Sequence, residues 1–163
     1  MWHIAIYLTC LSGVCLYSTV KGGCPERIAA WGLLIGSALS LISHARWFEG
    51  DFSRVEIGVL LVDICLLAVT ITLAMASSRF WPIWLSALMI VQVASHLPTL
   101  ISPAVQPFSY AVVAALWGYP LLATIAVGTV RHQRRLQAKG ADPSWSNSFE
   151  AWMRQRRRNG PIA

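Results

Sequence analysis

An aspartate inside an apolar run is the first residue of this chain with chemistry to offer. Asp63 lies in VEIGVLLVDICLLAVTITLAMA, residues 55–76, a stretch long and apolar enough to cross a bilayer. A carboxylate near the bilayer centre costs about 2.5–3.5 kcal/mol on insertion scales, so Asp63 is expected to face protein or water. Glu56, seven residues earlier, shares its helical face at the outer mouth. Two other segments carry groups able to pair with it. WGLLIGSALSLISH places Gly32, Gly36, Ser40 and His44 at successive i,i+4 positions, and MIVQVASHLPTL places Gln92 and His96 one turn apart. The small residues form a helix-packing stripe that admits a close neighbour. Asp63, His44, His96 and Gln92 are expected to converge in one layer, with His3 joining from above.

Three kinds of chemistry fit such a layer. Buried polar side chains pair across helices and fix how a bundle packs. Neutral imidazoles ligate, so His44 and His96 suit the axial positions of a haem b, a metal site, or donors to a quinone. A buried carboxylate also takes up and releases protons, which points to a proton or ion path through Asp63 in an oligomer. Other chemistries lack their motifs: there is no Gly-rich phosphate loop, no H-E-x-x-H and no G-x-S-x-G. Cys10, Cys15, Cys24 and Cys65 lack metal-ligand spacing. Nothing in the sequence supports an enzyme.

The elements that must position these residues are helices in a membrane. The chain has 163 residues, 56% hydrophobic and only 12% charged, about half the charge of an ordinary soluble domain. Five apolar segments read as spans at about 4–20, 28–43, 57–76, 80–101 and 108–130. A helix rises about 1.5 Å per residue and the hydrocarbon is about 30 Å thick, so about 20 residues suffice. No segment alternates as a barrel wall would. MWHIAIYLTC lacks the basic start of a signal peptide and is expected to remain as a span. Pro120 is expected to bend the fifth helix, and Pro98 to disturb the end of the fourth.

Charge orients the bundle. Lys21, Arg27, Arg79 and the tail put eleven basic residues on one side, while Arg46 and Arg54 put two on the other. By the positive-inside rule the N-terminus is outside and the C-terminus cytoplasmic. The tail, 131–163, begins with Arg131, Arg134 and Arg135 against the membrane, where they suit anionic lipid headgroups. Asn147 and Glu150 have the spacing of a capping box. The short helix they open has Phe149, Trp152 and Met153 on one side, with Arg154, Arg156, Arg157 and Arg158 around the rest, and is expected to lie on the membrane surface. The net charge of +6 needs no nucleic-acid partner. Trp47, Trp81 and Trp84 are expected to anchor spans at the interface, and Trp31 and Trp117 to pack in the core.

The stretches SRFWPIW, SHLPTL and RHQRRLQAKGADPSW resemble small multi-span inner-membrane proteins of proteobacteria, a likeness covering about residues 55–145. The resemblance implies a bacterial inner-membrane location and carries no functional residues with it. The sequence therefore predicts an all-α bundle of five transmembrane helices. Its expected role is that of a non-catalytic accessory or assembly subunit, bound to other membrane subunits or to itself through its small-residue and aromatic faces. A redox or ligand-binding protein and an oligomeric pore or small transporter are the alternatives.

Overall fold

The computed structural model describes residues 2–45, 52–98 and 107–159, and within them the chain is all-helical. Helices α1 (Trp2–Lys21), α2 (Cys24–Ala45), α3 (Phe52–Ala76), α4 (Trp81–Ala94) and α5 (Pro107–Lys139) form the bundle, and α6 (Ser146–Asn159) follows. Each bundle helix packs on its neighbour in sequence, α5 returns to α1, and α2 also touches α5 across the middle. Connections are tight at one end. Gly22 and Gly23 with Pro25 turn α1 into α2, and Ser77–Phe80 turn α3 into α4. Among the described residues, two helices, α2 and α3, hold windows long and apolar enough to cross a membrane, Cys24–Ser43 and Ile57–Ala76.

Two elements differ from expectation. The fourth span was expected over 80–101, but α4 ends at Ala94, four residues before Pro98. A proline ring clashes with the carbonyl four residues earlier and offers no N–H to it, so the helix cannot run on unchanged. Ser95 and His96 instead form a turn, in which the His96 N–H donates to the Val93 carbonyl at 3.2 Å and the Ser95 hydroxyl to the Gln92 carbonyl at 2.6 Å. The basic stretch that opens the tail at 131 is helical. Helix α5 runs unbroken through Pro120 and past Val130 to Lys139, 33 residues, about 50 Å at the usual rise. It stops at Gly140, whose φ of 69° is a left-handed conformation that glycine adopts without steric cost.

Small residues let the helices close on one another. A side chain at Gly36 would run into Leu66 of α3, one at Gly118 into the Tyr7 ring of α1, and one at Gly128 into the indole of Trp81. The packing stripe of α2 is thus filled from within the chain, by α3. The middle of the bundle is apolar: Leu11, Leu33, Leu85, Met89, Leu122 and Ile125 are all buried. Outward faces are apolar too, with Leu16, Ile35, Leu61 and Ile90 exposed. Trp31, expected in the core, is also exposed, on the outward side of α2.

Candidate functional site

Two polar layers are buried in the bundle, one on each side of its apolar middle. The first is the one the sequence announced. Asp63 of α3 and His96 after α4 meet at 2.9 Å between Oδ2 and Nε2, and the Gln92 amide nitrogen donates to the same oxygen at 3.1 Å. All three residues are buried, His96 to 1% exposure. The turn at Ser95–His96 keeps the imidazole on the carboxylate side although the helix has ended. Turning its nitrogen to Asp63 leaves the side-chain oxygen of Gln92, Oε1, buried with no partner among the described residues. The side chain of His44 lies outside the described residues, so its expected place in this layer has no geometry here. Among the described residues, no three His, Cys, Asp or Glu side chains gather as a metal-ligand set.

Hydroxyls tie α1 to its neighbours between the layers. Tyr7 and Ser37 share a hydrogen bond of 3.1 Å, and the Tyr7 ring stands edge-on to Tyr119 at 5.8 Å. Ser18 and Thr129 share one of 3.0 Å, both fully buried.

The second layer, at the end where α1 meets α2 and α3 meets α4, went unread in the sequence. Glu26 sits in the first turn of α2, where the helix dipole favours a carboxylate. Its Oε2 pairs with Nη1 of Arg79, and its Oε1 accepts the indole N–H of Trp81 at 2.8 Å. Gly23 makes this possible, since a side chain there would occupy the space of the Arg79 guanidinium. Nη2 of Arg79 reaches His132 Nδ1 at 2.9 Å, Asp142 Oδ2 at 3.1 Å and the Ser144 hydroxyl at 3.2 Å. Asp142 in turn lies 2.6 Å from His132 Nδ1 and pairs with Arg135 through both of its oxygens, at 3.0 and 3.2 Å. Burial would push the Asp142 carboxyl up. The hydrogen bonds from His132 and Arg135, with the charges of Arg79 and Arg135, outweigh that and hold it below the usual carboxylate value.

These contacts fold residues 142–145 across the end of the bundle as a strap. Ser78 donates its hydroxyl to the Pro143 carbonyl at 2.8 Å and its N–H to the Ser144 carbonyl at 3.3 Å, and Ser77 forms a bridge with Trp145. Helix α6 begins right behind the strap at Ser146, so Asn147 lies inside its first turn and not at its cap.

Three expectations change at this layer. Trp81 was expected at the lipid interface; it is buried against Glu26, because its indole N–H satisfies a carboxylate that burial would otherwise leave short of partners. Arg79 was counted as a loop cation and is instead a buried ion-pair partner, 4% exposed. Arg135 was expected to face headgroups and pairs with Asp142, while Arg131, Arg134 and Arg157 are exposed. The side chains of Arg156 and Arg158 lie outside the described residues. A sequence signal for this layer did exist. Glu26 stands alone among basic and apolar neighbours, and its matching cation Arg79 lies in an equally short turn.

Comparison with known proteins finds no matching family model, no similar curated protein and no similar solved structure.

Proposed function

We propose that this chain is a five-span integral protein of a bacterial inner membrane, N-terminus outside and C-terminus cytoplasmic, serving as a non-catalytic accessory or assembly subunit of a larger complex. One observation carries the reading: the buried polar side chains are turned toward one another, while the outward faces are apolar. Asp63 takes Gln92 and His96 in one layer, and Glu26, Arg79, His132 and Asp142 pair in the other, leaving the Gln92 Oε1 and the Arg79 Nε without a partner among the described residues. Exposed Leu16, Ile35, Leu61, Met75 and Ile90 leave lipid or another subunit as the neighbour of α1 to α4. The small-residue stripe no longer belongs to that contact, since Leu66 fills it. The aromatic and aliphatic faces remain, with Trp31 and Trp84 standing out from α2 and α4. Helix lengths support three of the five spans: α1, α2 and α3 have 20, 22 and 25 residues, each about 30 Å or more. The bacterial inner membrane is assigned from the resemblance of SRFWPIW, SHLPTL and the basic stretch after Val130.

The test is the mass and absorption spectrum of tagged protein purified in mild detergent from its native membrane. A stoichiometric complex much larger than the chain supports the subunit reading, and a small homo-oligomer overturns it.

The contact between Asp63 and His96 favours a second reading, proton handling at that pair. A carboxylate in hydrogen-bond contact with an imidazole is the arrangement of a proton relay. By helix register, the apolar belt of Leu11, Leu33, Leu85, Met89, Leu122 and Ile125 lies between this pair and the opposite layer. Conduction would therefore need a path between copies of the chain. Loss of proton flux in Asp63→Asn, in a protein that still assembles, would establish it.

A further inference from the structure

A small cavity of about 100 Å³ opens beside the strap, lined by Arg79, Arg135, Lys139 and Asp142 together with Phe149 and Trp152 of α6. Its charges do not cancel. Arg79, Arg135 and Lys139 carry three positive charges against the two carboxylates of Asp142 and Glu26, and His132 adds to the positive side when protonated. Donors are left over as well. Asp142 takes Nε and Nη2 of Arg135, and Glu26 with Asp142 takes both terminal nitrogens of Arg79. Nη1 of Arg135 and Nζ of Lys139 have no hydrogen-bond partner among the described residues, and neither has the buried Nε of Arg79. The carboxylate of Asp142 already shows which chemistry these cations accept, a planar anion held by paired N–H donors.

We propose that this cavity binds a phosphate-bearing anion, with Lys139 and the free edge of Arg135 as its ligands and the Phe149–Trp152 pair beside its apolar part. A few waters' worth of volume admits one phosphate group and little more. The two rings lie 6.0 Å apart on a helix that also carries exposed Arg154 and Arg157, the composition of an interfacial helix, so an anionic phospholipid headgroup is the expected source of the phosphate. A free phosphate satisfies the same donors without using the rings. This site is separate from the subunit contact, and its failure would leave the mass of the native complex unaffected.

The experiment is native mass spectrometry of the full chain released from detergent micelles doped with phosphatidylglycerol or phosphatidylcholine, with and without inorganic phosphate at millimolar concentration. The expected result is one retained phosphatidylglycerol, at least tenfold preferred over phosphatidylcholine, with the preference lost in Lys139→Gln and kept in Lys21→Gln. Lys21 is an exposed lysine at the same end of the bundle and does not line the cavity. Lys139 makes no ion pair among the described residues, so its replacement breaks none of the contacts that hold the strap. Displacement of the lipid by inorganic phosphate identifies the phosphate group alone as the ligand, and retention against it identifies the whole lipid. Equal retention of both lipids, or a Lys139→Gln protein indistinguishable from the parent, overturns the proposal.

Discussion

Glu26 and Arg79, 53 residues apart in sequence, form an ion pair whose side chains are 0% and 1% exposed. A pair this deep is worth little relative to an apolar one of the same shape, because both charges have given up water. Breaking it is another matter. Arg79→Gln strands the buried charge of Glu26 and should destabilise the fold by about 3–5 kcal/mol, while Glu26→Gln leaves Arg79 its pairing with Asp142 and should cost less. The double variant should lose clearly less than the sum of the two. Thermal unfolding of the detergent-solubilised proteins reads this, and strict additivity would show that the two residues do not act as a pair.

Asp63 sits at the other layer, and its replacement separates structure from conduction. In Asp63→Asn the amide oxygen can still face both Gln92 and His96, which meet the same oxygen of Asp63, but it is a weaker acceptor than a carboxylate. The weakened buried contact should cost about 1 kcal/mol. If the chain is an accessory subunit, the variant will melt earlier yet copurify with the same partners. Unchanged melting would mean that the contact with His96 contributes nothing to the packing of α3 on α4.

The strap should respond to acid through Asp142. Its carboxyl is held below the usual value, so its contribution to stability is complete above the unfolded-state pKa of about 3.9 and is lost as pH falls through the lower folded value. The unfolded strap binds the proton first, and each step down in pH then favours release. Proteolysis between α5 and α6 should therefore stay slow from neutrality down to about pH 4 and accelerate below it. Asp142→Asn should be cleaved faster at neutral pH and show a much flatter dependence. A parent protein cut equally fast at pH 7 and pH 3 would rule out the docked carboxylate.

Gly36 tests where the small-residue stripe is used. Gly36→Leu must displace Leu66 on α3, and overpacking of that kind costs about 1–3 kcal/mol. The expected result is a less stable chain whose partners, if any, are retained. A stable variant that sheds a partner would instead put the stripe on an outer face.

The resemblance of the two ends is instructive about what can be read in one dimension. The pairing of Asp63 with Gln92 and His96 was legible because each stands out as a polar group in an apolar run, and intramembrane polar groups seek one another. The pairing of Glu26 with Arg79 was not, because both residues lie in short turns between helices, where charges are expected to meet water. Trp81 misled for the same reason. Its position next to a turn is that of an interfacial anchor, and only the neighbouring Glu26 and Gly128 make it an interior residue.

What the sequence by itself determined was the all-helical class, the apolar runs that become α1 to α5, and the kinds of polar groups placed within them. These follow from local quantities: hydropathy, the helical repeat, and the prolines and glycines at Pro98 and Gly140 that end helices. The tertiary structure decided which side of each helix faces inward and how the strap closes the end of the bundle. It set Leu66 into the stripe at Gly36, turned Arg79 inward beside Gly23, and brought Asp142 back onto His132 and Arg135. Such contacts depend on the simultaneous placement of four or five segments, and no window of sequence contains the partners that stabilise them.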